Sequence, residues 1–349
     1  MRPFVIALIS LGCAAQEPDV QPQKKPNIVV LESDYSTGII SAWSGDFEDT
    51  LGSVPSGGDA RLIALQDGFA LLERSRSDAV TFFDQNLSFQ RQIALPERSN
   101  PHDLIEVNNS YWISLYQRPE LLRFSSTTYQ TQAPIDGASW TDEDGRPEAS
   151  AMHVSASGRL FLLVQNLDFT GVEPIPPEHS QLIEFSASGE LLSQHQIPSN
   201  PFGSIIERAD GRLNFACNRS WEIDQQAGLW QFDPIEETGE FLIQETRLNG
   251  NILDFEWYEE KIYVLVSNEN FSSSLYQFDP ETDALNLITG PHTQNIGCVV
   301  RVRQNLFVCD RTLGLHGIRR VDQDQLKLDD QLIKTRLAPL QILVPSAEL

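Results

Sequence analysis

Asn251–Gly290 reads NILDFEWYEEKIYVLVSNENFSSSLYQFDPETDALNLITG, and it contains four short apolar segments: Ile252–Trp257, Ile262–Val266, Ser274–Phe278 and Ala284–Ile288. Each is about strand length, rich in β-branched and aromatic residues, and bounded by turn residues. The polar turn at Tyr258-Glu259-Glu260 joins the first two, and Phe278-Asp279-Pro280-Glu281-Thr282 separates the third from the fourth. Four antiparallel strands in about forty residues make one blade of a β-propeller.

Outward from this stretch the same order recurs at Asp59–Leu95, His102–Ile135, Ser150–Ile197, Gly203–Leu248 and Ile296–Leu337. Asn27–Val54 supplies a further blade but lacks an innermost strand, whereas Ala338–Val344 reads as an innermost strand with no blade after it. The two deficits cancel if the late strand completes the early blade, a closure that removes the open edges of a linear array. The expectation is an all-β protein: one seven-bladed β-propeller over residues 27–345, shut by the C-terminal strand.

The repeat resembles the seven-bladed propellers of the YVTN/YncE-like (lactonase-like) superfamily. Three features carry the resemblance. They are the turn-Gly-x-apolar runs (Ser157-Gly158-Arg159-Leu160, Asp210-Gly211-Arg212-Leu213), the second-strand endings in Asn (Asn166, Asn218, Asn268) and the Phe-Asp-Pro endings at Phe232–Pro234 and Phe278–Pro280. It spans nearly the whole propeller region and implies architecture, because such propellers include binding modules, carriers and enzymes.

The N-terminus opens Met1-Arg2-Pro3, continues with the apolar run Phe4–Leu11 and ends in Gly12-Cys13-Ala14-Ala15. A basic start, a short apolar run and small residues describe an export signal over residues 1–15. Cys13 after Leu11-Gly12 resembles a bacterial lipobox, departing from it at Ser10 where that pattern has Leu; the competing outcome is cleavage after Ala15. By resemblance, lipidation at Cys13 with Ala14 following implies the outer membrane, and simple cleavage a periplasmic or secreted protein. Residues 16–26 (QEPDVQPQKKP) lack any apolar period and read as a flexible tether. Membrane attachment would run through the N-terminal lipid only.

Composition narrows the partners. Forty-nine Asp and Glu against 25 Lys and Arg leave a net charge of −24, which repels phosphate backbones and argues against nucleic acid. In an oxidising compartment Cys298 and Cys309, flanking a turn at Arg303-Gln304, face each other if Val302 lies opposite Asn305. A cross-strand disulfide and two buried thiols both satisfy that register.

Antiparallel order places the long excursions on one face: residues 136–148, 167–180 and 219–227, over blades three to five. Loops on a rigid scaffold concentrate function, so that face is where a protein, peptide or small-molecule ligand is expected. Trp140, Phe169, Trp221 and Arg219 on the excursions, with Arg74, His102 and His153 near the channel, are the candidate ligand-binding residues. His102-Asp103 and His153, from adjacent innermost strands, could also share a metal or act as acid and base. No GxSxG, HExxH, P-loop or CxxC pattern occurs, and no catalytic residue is nominated. The reading favours a binding or scaffold protein over an enzyme and leaves catalysis open. Its alternative, implied by the lactonase-like resemblance, is a divalent-metal-dependent hydrolase holding Ca²⁺ or Mg²⁺ through Asn166, Asn218, Asp254 or Asp310.

Overall fold

The computed structural model describes residues 27–45, 47–74, 77–169, 174–218, 223–268, 272–290 and 295–345. Cys13, Arg219 and Trp221 lie outside them. Seven antiparallel sheets follow one another in sequence, each beginning at the channel and stepping outward. Blades two, four, five and six each have four consecutive strands. Blade three has three strands, and its outer edge is carried by the bridges Leu121↔Ile135 and Phe124↔Thr131. In blade seven the outer strand is split between Lys327–Leu328 and Ile333–Lys334, both paired with Gly317–Asp322.

Ring closure is as the sequence predicts. Pro339–Leu343 pairs antiparallel with Ile28–Ser33, with Val29 opposite Leu343 and Val30 opposite Ile342. The first blade is thus built from both ends of the propeller region. Glu32 fastens the return: its Oε2 accepts the backbone N–H groups of Arg336 (2.8 Å) and Leu337 (2.9 Å), and its Oε1 accepts the Ser41 hydroxyl. The carboxylate is 1% exposed, and its acceptor capacity is matched by three donors, as a buried polar group requires.

Strand patterning explains the packing. Second strands such as Leu160–Val164 and Leu213–Cys217 are buried throughout, because both of their faces meet neighbouring blades; they read as continuous apolar runs rather than alternating ones. Outermost strands such as Phe89–Ala94 are largely exposed. Cores form between adjacent blades: Leu72, Phe82 and Tyr111 join blades two and three, and Trp43, Phe307 and Ile342 join blades seven and one. Gly158 and Gly211 take φ of +79° and +86° in the tight turns after the innermost strands of blades four and five. A side chain there would be strained, so the turn-Gly motif has a backbone cause.

Each innermost strand presents an unpaired edge to the channel, whose N–H and C=O groups need partners. Side chains from the neighbouring blade supply many of them. Asp103 accepts from Met152 N (2.8 Å), Asp254 from Val299 N (3.0 Å) and Glu256 from Arg301 N (3.2 Å). Gln341 bonds both the N–H and the C=O of Leu62, and Arg61 donates to the carbonyls of His102 and Ser150. The channel wall is therefore laced blade to blade by polar side chains. Cys298 and Cys309 form a disulfide across the first two strands of blade seven, where Val302 faces Asn305; Cys217 is a buried free thiol.

Candidate functional site at the channel mouth

Innermost strands begin, and second strands end, at the same end of the ring. Over blades two to four this end gathers five polar side chains. Arg61 is the second residue of Ala60–Leu65, Arg74 follows Gly68–Glu73, His102 is the second residue of Pro101–Val107, Tyr116 follows Ser110–Leu115, and Glu148 precedes Ala149–Val154. Backbone bonds fix their relative places: Arg74 N donates to Asp59 O, Tyr116 N to Asn100 O and Glu148 N to Tyr116 O.

The His102 imidazole stacks on the Tyr116 ring with centroids 4.3 Å apart and planes 24° from parallel. Burial holds His102 well below the ordinary histidine range, and the Arg74 and Arg61 guanidiniums push it the same way. The imidazole is accordingly neutral at pH 7. Burial likewise raises the Tyr116 phenol, with the Glu148 carboxyl adding to it and Arg74 opposing. Arg74 pairs with Asp59, while Arg61 lies 3.7 Å from the buried Asp103 carboxylate. Glu148, fully buried, is pushed up to about 8 by burial, against the bond its Oε2 accepts from Leu167 N (3.0 Å). Its carboxyl therefore carries a proton at neutral pH.

The other nominated residues separate. Trp140 is 2% exposed and meets Phe185 edge-on at 5.2 Å in the core between blades three and four. It offers no face to a ligand, because its loop folds the indole inward; this corrects the expectation of an exposed clamp. Trp140→Ala should lower stability by about 3–5 kcal/mol, the usual cost of emptying a large aromatic site, read as a shift in the urea midpoint at unchanged slope. Phe169 is 39% exposed and lies under the Arg146 guanidinium at 5.8 Å, so it keeps an accessible ring. His153 does not join His102. It sits near the end of Ala149–Val154, where its Nε2 meets Glu207 Oε2 at 3.0 Å. The His153 ring is taken by Glu207 of blade five and not by His102, which corrects the paired acid–base expectation.

The four metal nominees are spread over four blades. Asp254 uses both oxygens on backbone N–H groups, those of Phe255 and Val299, and burial raises it to about 7. Asp310 accepts from Thr312 N and Oγ1 and from Arg319 Nε (2.7 Å). Asn218 donates to Ile252 O (2.9 Å), tying blade five to blade six. Asn166 adopts a left-handed φ of 52° at its turn. Asn166 and Asn218 each keep an unpartnered amide oxygen, but the two carboxylates needed for charge are engaged in the scaffold. As a set the four do not fit a hard cation. Among the described residues, no three His, Cys, Asp or Glu side chains converge as metal ligands.

Tyr116 and Glu148 join the site without a sequence motif that marks them. Gln117, the neighbour of Tyr116, is the exposed residue, and only the end of the second strand in YWISLYQ could have signalled a ring facing His102.

The architecture defines a class, the seven-bladed β-propellers. No family model matches this chain, and no curated protein does. Similarity appears among solved structures, of which 833 chains match, too many for the fold to select a function. The dihydro-heme d1 dehydrogenase NirN superposes with a TM-score of 0.61 at 14% identity, covering 93% of this chain and 67% of that one. A Bacteroides fragilis protein provisionally assigned as a 6-phosphogluconolactonase gives 0.60 at 13% identity, covering 94% and 99%. AztD from Citrobacter koseri gives 0.58 at 12%, covering 90% and 96%. At such identities the likeness is one of fold alone.

Proposed function

We propose that this protein is an exported, lipid-anchored binding propeller of a bacterial cell envelope, retaining its ligand at the channel mouth over blades two to four. The observation that carries the reading is the His102–Tyr116 stack flanked by Arg61 and Arg74, a polar cluster beyond what closing the ring requires. A few convergent polar groups with perturbed protonation, set beside an aromatic face on a rigid scaffold, are the usual makings of a ligand site. The export signal and Cys13 support the location, and the acidic surface suits a soluble body on a tether. The hydrolase alternative is the weaker reading, since Asp254 and Asp310 bond the scaffold instead of facing a substrate.

Gentle extraction and native mass spectrometry test it. The wild-type protein should fractionate with membranes and carry a small-molecule adduct, and Cys13→Ser should release it to the soluble fraction. The adduct should vanish in Arg74→Gln/His102→Ala and persist in Arg208→Ala, which alters the opposite face. A wild-type protein without an adduct, or a double variant that keeps it, would overturn the binding reading.

A further inference from the structure

Three groups at the mouth share a property that neither folding nor ring closure explains. Arg74 Nε is buried with no hydrogen-bond partner. Neither the Tyr116 hydroxyl nor a His102 ring nitrogen is hydrogen-bonded among the described residues, though the two rings are stacked. Arg74 Nε is a donor only, a phenol is foremost a donor, and a neutral imidazole carries one N–H. An unpaired buried donor such as Arg74 Nε costs free energy, and the Tyr116 hydroxyl and His102 ring at the same end have no hydrogen-bond partner among the described residues either, which leaves all three open to an acceptor that comes from outside.

We propose that the channel mouth binds a small organic anion, its carboxylate or phosphate received by Arg74, Tyr116 and His102. The proposal rests on the reading of the mouth as a binding site and names the ligand class. Charge distribution agrees with it. The whole chain carries −24, yet His102 sits between two guanidiniums whose combined field opposes its protonation. Asp59, which pairs with Arg74, is the more exposed of the two, with a side chain 39% accessible; an incoming anion takes over part of its role. Glu148 behind Tyr116 stays protonated to about pH 8, so it adds no repelling charge at neutral pH. Its Oε1 is buried and unpartnered, as expected of a carboxyl held in its neutral form. The stacked His102–Tyr116 faces supply apolar contact for the organic part of the ligand.

Calorimetric titration of the full protein with L-malate, with glycerol 3-phosphate and with uncharged malamide tests this, at pH 6.5 in a buffer free of organic anions. The expected result is a Kd below about 1 mM for at least one anion, and none measurable for malamide. Arg74→Gln should weaken binding at least about tenfold, as loss of a charged hydrogen-bond partner does, and Tyr116→Phe by roughly threefold or more, with melting temperatures unchanged. Binding of malate alone assigns a carboxylate, and of glycerol 3-phosphate alone a phosphate. Failure of both anions below about 10 mM, equal binding of malamide, or an unaltered Kd in Arg74→Gln would overturn the proposal. If the native adduct is nonetheless present and lost in the mouth double variant, the binding reading stands and only the ligand class falls.

Discussion

Removal of residues 338–349 should leave a chain without a cooperative thermal transition. Pro339–Leu343 is the inner strand of blade one, and with it go the pairs Val29↔Leu343 and Val30↔Ile342. Ile342 and Val344 also leave the core shared with Trp43 and Phe307. The deletion bares the edge of Ile28–Ser33 and opens an apolar seam between blades seven and two, a combination that invites aggregation. Glu32→Ala is the finer version. It strips an acceptor from two backbone N–H groups and the Ser41 hydroxyl in a site closed to water. Unmet buried donors cost about 1–3 kcal/mol each, so a loss of roughly 3 kcal/mol is expected in urea unfolding. Glu32→Gln should recover part of it, since one amide oxygen still accepts.

Stability should also fall as pH rises from about 5 to 8. Burial raises three carboxyls far above the ordinary range: Glu148 to about 8, and Glu245 and Asp254 to about 7. In the unfolded chain these groups lose their protons near pH 4. Between that value and the raised folded value the native state holds more protons than the unfolded state, so stability declines with pH. Below about pH 4 neither state is ionised and these residues contribute no slope; above about pH 8 the whole loss has been taken. At about 1.4 kcal/mol per unit, the three together would cost on the order of 10 kcal/mol if each shift were fully realised. Relaxation and water entry reduce that, and roughly 5 kcal/mol is the expected fall. Self-repulsion within a chain of net charge −24 acts in the same direction. Glu148→Gln should flatten the upper part of the profile and stabilise the protein at pH 8. Urea midpoints at pH 5.5 and 8.0 measure this, and equal midpoints would refute it.

The fold was legible because its signal is redundant. Seven repeats of short apolar runs and polar turns fix blade order even where one copy is degenerate, as in blade three. The surplus strand at one end of the region and the missing strand at the other then demand each other. Chemistry was less legible, because strand-end polar residues look alike whether they tie blades together or face a ligand. Asp254 and Arg74 are both polar residues in or just after channel-side strands, yet the first is engaged by backbone N–H groups and the second keeps a free donor. That distinction depends on the register of the neighbouring innermost strand, which residue type does not reveal. Trp140 illustrates the converse: an aromatic in a long polar loop reads as exposed until Phe185 on the adjoining blade supplies a surface for it.

Which loops share the mouth, and so whether Arg74, His102, Tyr116 and Glu148 can meet one ligand, follows from how the ring shuts. Amide hydrogen exchange of residues 339–343 tests that most directly. Protection within tenfold of that in Leu160–Val164, a fully buried second strand, is the result this structure predicts. Exchange as fast as in an open chain would mean that blade one has no inner strand and that the mouth described here does not form.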